Sequence, residues 1–306
     1  MATAGAAPRS HGAQVTPPSV LAQAPAELTA GRLKRLGEGI GKVVYASEHW
    51  VVKRERSRNE IISLIIVWKL LRKLERWLPG SFARRLLNAP SRQIRLLKTV
   101  LHALLLPIPK GFWYVAHARE MWSVYAGRST QGETLARQYL QGTALMPQTI
   151  EFPPVRVSVG GWPGWLTVSD ATERMHCTLL QRLEELAARD DYDAVEQWLD
   201  RMLATRQAGW RRGLFSTDAH LKNFGVSGDR VVLIDAGGLT ESWPEIEQRI
   251  RFEHESGPPH VRLGLKKVFA GRSDLAAQFD ERWRETVTID GIRRHWPAEK
   301  LTRSVP

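Results

Sequence analysis

Cysteine is nearly missing from this chain: Cys177 stands alone among 306 residues. That excludes an internal disulfide and any cysteine-based zinc site. The nine histidines contain no HExxH and no paired metal-ligand spacing. Long apolar runs are missing as well. The uncharged stretches at 61–68 and 99–109 have eight and eleven residues, against the roughly 20 that cross a bilayer. A secretory signal is also lacking. Residues 1–30 are rich in Ala, Pro, Gln, Ser and Thr, with no charged n-region leading into an apolar core. They read as a disordered leader. These absences together predict a reduced, cytoplasmic setting.

Acidic residues are scarce in one segment only. Residues 51–110 hold 14 of the 44 lysines and arginines but 3 of the 32 acids, so nearly all of the net charge of +12 resides there. Within 54–112, Lys69, Arg72, Lys73 and Arg76 recur at helical spacing. Arg92, Arg95, Lys98 and His102 repeat the pattern opposite Ile94, Leu97, Leu101 and Leu105. The expectation is a basic amphipathic helical hairpin, broken at Pro79-Gly80 and inserted into the surrounding fold. Such helices suit an anionic membrane surface, which would make the protein peripheral on the inner membrane face. They equally suit a solvated basic face whose apolar side packs inward. No nucleic-acid motif accompanies the charge, so nucleic acid is not the expected partner. Twelve tryptophans serve either core packing or a binding face.

The chemistry-bearing stretch is 215–238. Val231 to Ile234 is a short apolar, β-branched run bounded by Gly228-Asp229 and Gly237-Gly238, which reads as a buried strand. It delivers Asp235 to a glycine-rich turn where a ligand can approach. Asp218 lies on the preceding loop, with Asn223 five residues later. Two carboxylates and a carboxamide at these spacings suit phosphoryl transfer, which needs hard oxygen ligands for Mg²⁺ and a carboxylate to orient the attacking hydroxyl.

Asp218-x-x-x-x-Asn223 followed by Asp235-Ala236-Gly237 resembles the catalytic loop and metal motif of the protein-kinase-like superfamily. The resemblance extends upstream. Gly37, Gly39 and Gly41 precede a hairpin whose second strand ends in Lys53. This is similar to the glycine-rich loop and lysine-bearing strand of that superfamily, although only Ile40 separates Gly39 from Gly41. The family pattern implies ATP and Mg²⁺ as cofactors. It puts Lys53 on the α/β-phosphates, Asn223 and Asp235 on the metal, Asp218 as catalytic base, and Lys222 on the transferring phosphate. The three glycines would cover the phosphates. Glu133, at the start of a helix that Gly142 can stop, would hold Lys53 in place; Glu60 is the rival for that role. A Thr-Asp-x-His-x-Lys-Asn loop also occurs in toxin kinases of bacterial persistence modules.

The expected fold class is α+β, a two-lobed kinase-like fold with the helical insertion in its N-lobe. The N-lobe would span 31–170 and a mostly helical C-lobe 171–306. A hairpin around 160–164 would lead into a strand at 165–168 and then a hinge at 169–173. Helices are expected at 174–189, 194–212, 243–251 and 275–285. No long segment for docking a peptide follows Asp235. The expected activity is therefore an ATP-dependent phosphotransferase acting on a hydroxyl of a lipid, glycan or small metabolite, in the manner of the lipopolysaccharide-core kinases. A toxin-type or regulatory protein kinase, and a pseudokinase that binds membranes, are the alternatives.

Overall fold

A computed structural model of the protein describes residues 22–38, 41–62, 64–65, 109–160 and 164–303. Gly39 and most of the basic segment expected to form an amphipathic hairpin lie outside the described residues. So do residues 1–21 of the expected leader.

The fold is α+β, with two hydrophobic cores. The first is enclosed by five strands: β1 (Arg32–Glu38), β2 (Lys42–Ala46), β3 (Trp50–Glu55), β4 (Thr149–Val159) and β5 (Trp165–Glu173). Their order is β1-β2-β3-β5-β4. Every neighbouring pair is antiparallel except β1 with β4, which close the barrel through a short parallel contact at Arg32 and Leu33. Alternate residues point inward. Val43, Tyr45, Val52, Phe152, Val157 and Val159 fill the interior, each buried aliphatic side chain contributing roughly 1.5–3 kcal/mol. Pro153 and Pro154 donate no ladder hydrogen bond, and the β4–β5 register shifts between Glu151 and Val155.

The last part of the expected leader is ordered. Ala26–Ala30 form a helical turn, α1, whose Leu28 is fully buried in the barrel core. Glu27 fastens it by accepting the His49 backbone N–H at 3.1 Å and pairing with His49 Nδ1 at 2.7 Å.

Helix α2 (Pro109–Tyr139) is 31 residues long. Glu133 therefore lies near its C-terminal end, not at its start as the sequence suggested. No proline interrupts the helix after its first residue. It ends before Gly142, which takes a positive φ of 75°. Its last turns contribute Leu135 and Ala136 to the second core.

That second core is built mostly from helices: α3 (Leu179–Ala187), α4 (Tyr192–Trp210), α5 (Trp243–Glu255), α6 (Pro259–Leu263), α7 (Ser273–Thr286), α8 (Ile289–Arg293) and α9 (Ala298–Arg303). Helix α3 starts later than the expected 174 because Cys177–Thr178 form strand β6, and Thr178 with Gln181 makes a capping box. Strands β6, β8 (Phe224–Ser227) and β9 (Arg230–Leu233) form one small sheet. Strands β7 (Phe215–Ser216) and β10 (Leu239–Thr240) form another. The pairing of β7 with β10 brings the loop after Ser216 against the loop before Leu239.

Candidate functional site

The site begins with the β2–β3 hairpin. Ser47 closes its turn, its N–H donating to the Trp50 carbonyl at 2.9 Å. This fixes the register, with Val44 opposite Lys53 and Lys42 opposite Glu55. Because Val43, Tyr45 and Val52 point into the barrel, Lys42 and Lys53 point away from it. Strand β5 extends the same face. Val51 pairs with Thr172, so Asp170 falls beside Lys53.

Lys53 reaches across to the second core. Its Nζ donates to the Ile234 carbonyl at 2.9 Å, joining residues 181 positions apart. Lys53 keeps access to solvent, but the protein around it removes enough water to lower its pKa. The Lys42 charge adds to that shift, and the Asp235 and Asp170 carboxylates oppose it. Two ammonium groups and two carboxylates thus lie within electrostatic reach of one another.

Asp235 follows Ile234 directly. Its carboxylate is exposed apart from accepting the Gly237 N–H at 3.1 Å. The Asn223 carbonyl accepts the N–H groups of both Ile234 (2.9 Å) and Asp235 (3.3 Å). The Asn223 side chain is buried and donates from Nδ2 to the Asp218 carbonyl at 3.3 Å. Thr217 donates twice to the Gly238 carbonyl, from its N–H at 2.8 Å and its hydroxyl at 2.9 Å. A Cβ on Gly238 would lie 3.0 Å from the Asp218 nitrogen, so this glycine permits the loops to touch. Asp218, Asn223 and Asp235 are therefore held on two interlocked loops. Asp218 and Lys222 are exposed beside them.

His220 has a packing role. Its Nδ1 accepts the Lys222 N–H at 3.2 Å, and Gly264 packs over its ring so closely that a Cβ would come within 2.6 Å. Burial lowers its pKa, Lys222 adds to the shift and Asp218 opposes it.

The expected Lys53–Glu133 pair is not what forms. Glu133 pairs with Lys42 instead. The hairpin register explains this: Lys42 and Lys53 share a face, and helix α2 passes at the level of Lys42 while Lys53 extends to Ile234. Glu60 is not the partner either. It makes a two-pronged pair with Arg54, at 3.0 Å for each arm. Burial alone would raise the Glu60 pKa. The Arg54 hydrogen bonds and the Ser57 N–H outweigh burial and bring it to about 2.

Of the expected glycines, Gly37 lies one residue before the end of β1, opposite Val44, with open space where a side chain would be. Gly41 precedes β2. Helix α2 meets the Asp235 loop at Gly132, whose missing Cβ leaves room for the Ala236 carbonyl, and at Ser129, which lies against Gly237. Sequence reasoning missed Lys42, Asp170, Ser129 and Gly132. Lys42 was within reach of it, since two-residue alternation around the 47–49 turn places it on the Lys53 face.

For a metal, the residues fit in kind. Among the described residues no group of three His, Cys, Asp or Glu side chains gathers. Mg²⁺ does not need one, because it binds through one or two protein oxygens plus phosphates and water. Asp235 offers a carboxylate, and Asn223, its amide nitrogen already committed to Asp218, offers Oδ1.

Among the described residues, two cavities border the second core. One, of about 330 Å³, lies between α4 and α7 and contains none of the expected site residues. The other, of about 290 Å³, borders Thr217, Gly237 and Gly238. No helix among the described residues is long and apolar enough to cross a membrane. No protein-family model, curated protein or solved structure matches this chain.

Proposed function

We propose that the protein is an ATP- and Mg²⁺-dependent phosphotransferase that phosphorylates a hydroxyl of a lipid, glycan or small metabolite. In this reading the two cores are the lobes of a protein-kinase-like fold, and the nucleotide lies between them. One observation carries the proposal: Lys53 on β3 meets the carbonyl immediately before Asp235, across 181 residues. Lys53 and Lys42 face the triphosphate, each already anchored on its far side. Gly37, with nothing within 4 Å of where its side chain would be, leaves room for the phosphates at the end of the barrel, and Gly41 stands just before β2. Asp235 and Asn223 hold the metal, which supplies charge neutralisation at the phosphates when bound.

The acceptor hydroxyl sits against the Asp218 carboxylate. Its oxygen bonds to the γ-phosphorus as the bond from that phosphorus to ADP breaks, and its proton passes to Asp218. Lys222 faces the charge that develops on the transferring group. Positioning and electrostatics carry the reaction.

A second reading, a non-catalytic nucleotide-binding module, draws support from Glu133 binding Lys42 instead of Lys53. Incubation of the full chain and of Asp218→Asn with γ-labelled ATP and an extract of the source cells separates the readings. The proposal expects label in a lipid, sugar or small-molecule fraction with the wild type alone. Label in protein indicates a protein kinase, and no transfer by either chain removes the enzyme reading.

A further inference from the structure

The 290 Å³ cavity beside the catalytic loops is walled by those loops, strand β10 and helices α2 and α5. The loops supply Thr217 and Gly238, neighbours of Asp218. Helix α2 supplies Arg128, and helix α5 supplies Glu245, Gln248 and Arg249. Its charged lining is thus two guanidinium groups and one carboxylate. Arg249 is held rigidly. Its Nε donates to the buried Glu253 at 3.0 Å, and its guanidinium stacks over Phe252 at 5.2 Å from the ring centre. Its terminal nitrogens remain for a ligand. Arg128 is exposed and has no ion-pair partner among the described residues. Two arginines facing one cavity, one of them pre-positioned, make a fork suited to the oxygens of a phosphate or carboxylate. The polar groups of Gln248 and Glu245 suit hydroxyls.

We propose that this cavity is the acceptor site, and that the acceptor is an alcohol carrying a phosphate or carboxylate seated between Arg128 and Arg249. The inference rests on the phosphotransferase reading for its role, but its anion chemistry stands apart from nucleotide binding. Phe252, among the few large apolar side chains left exposed at 53%, forms part of the same wall.

Calorimetry on the full chain tests it with four probes: glycerol 3-phosphate, glycerol, vesicles containing phosphatidylglycerol, and Mg·ATP. Glycerol 3-phosphate or the vesicles should bind saturably and glycerol should not. The first result points to a soluble acceptor and the second to a lipid-borne one. Arg128→Gln should weaken that binding about tenfold, the loss of a charge-assisted hydrogen bond, with Mg·ATP affinity unchanged. If Mg·ATP binds and neither anionic probe does, or if Arg128→Gln binds them equally, the acceptor site falls and the kinase reading survives. If the probes bind through Arg128 and Mg·ATP does not bind, the anion site survives and the phosphotransferase reading falls.

Discussion

The Glu133 carboxylate pairs with Lys42, the first residue of β2, and so ties the last turns of α2 to the strand that follows the glycine turn. Lys53, one strand away on the same face, is left to bridge to Ile234. The two lysines therefore have separate anchors. This arrangement predicts measurable coupling between Lys42 and Glu133 and none between Lys53 and Glu133. In double-mutant cycles of denaturant unfolding, Lys42→Met with Glu133→Gln should show an interaction of about 0.5–1 kcal/mol, the range for a partly exposed pair. A coupling of that size between Lys53 and Glu133 would contradict the assignment.

Two glycines of α2 should respond oppositely to substitution. A Cβ on Gly132 would run into the Ala236 carbonyl, whereas one on Gly127 meets nothing within 4 Å. Gly132→Val should destabilise the protein by about 1–3 kcal/mol through overpacking. It should also lower any phosphotransfer, because the Asp235 loop must shift. Gly127→Ala should stabilise by up to about 1 kcal/mol through helix propensity. Thermal melts of the two variants check both signs.

Much of the site was legible in the sequence because its cues are local. Val231 to Ile234 between glycine turns announced a strand, and β9 spans Arg230–Leu233. The hairpin at 160–164 and the helices after 192 and 243 follow from turn residues and 3.6-residue spacing. The partner of Glu133 was not legible. Which of two lysines on one sheet face a helix meets depends on the height at which the helix crosses, a tertiary quantity with no local signature. The length of α2 escaped for a related reason. Gly127 and Gly132 weaken its helical pattern, and Gly132 is there for contact with Ala236, over 100 residues away.

Arg206 on α4 is buried, and none of its three guanidinium nitrogens has a hydrogen-bond partner among the described residues. It lies against the Trp283 and Phe215 rings, 4.9 and 5.4 Å from their centres. Burial lowers its pKa to about 10, with the Glu253 charge opposing and Arg249 adding. Glu253, itself buried, also pairs with Arg249 and Arg262. Glu253→Gln should therefore cost about 3–5 kcal/mol, since three arginines lose their shared counter-charge. Arg206→Met should be neutral or stabilising, because it removes an unsatisfied buried cation and keeps the volume. Urea unfolding distinguishes these outcomes, and a large loss in Arg206→Met would contradict this account.

Stability should fall in two steps on acidification. The His220 pKa is depressed below 6.5 in the folded state. The unfolded chain then binds more protons, and the contribution present above 6.5 is lost as the pH drops below it. Glu60 acts lower down. Its folded pKa of about 2 lies below the ordinary 4.5, so its contribution is full above 4.5 and disappears as the pH falls toward 2. Glu60→Gln should flatten the melting profile between pH 4.5 and 2, and His220→Asn should flatten it just below 6.5. Unchanged profiles would remove these assignments.

If Lys53 and Asp235 meet around one nucleotide, as proposed, calorimetric titration of the full chain with Mg·ATP will show it. Saturable, Mg²⁺-dependent binding is expected, raising the melting temperature and weakened about tenfold or more in both Lys53→Met and Asp235→Asn. No saturable binding up to about 10 mM, a concentration that would reveal even a millimolar site, or equal affinity in all three chains would contradict it.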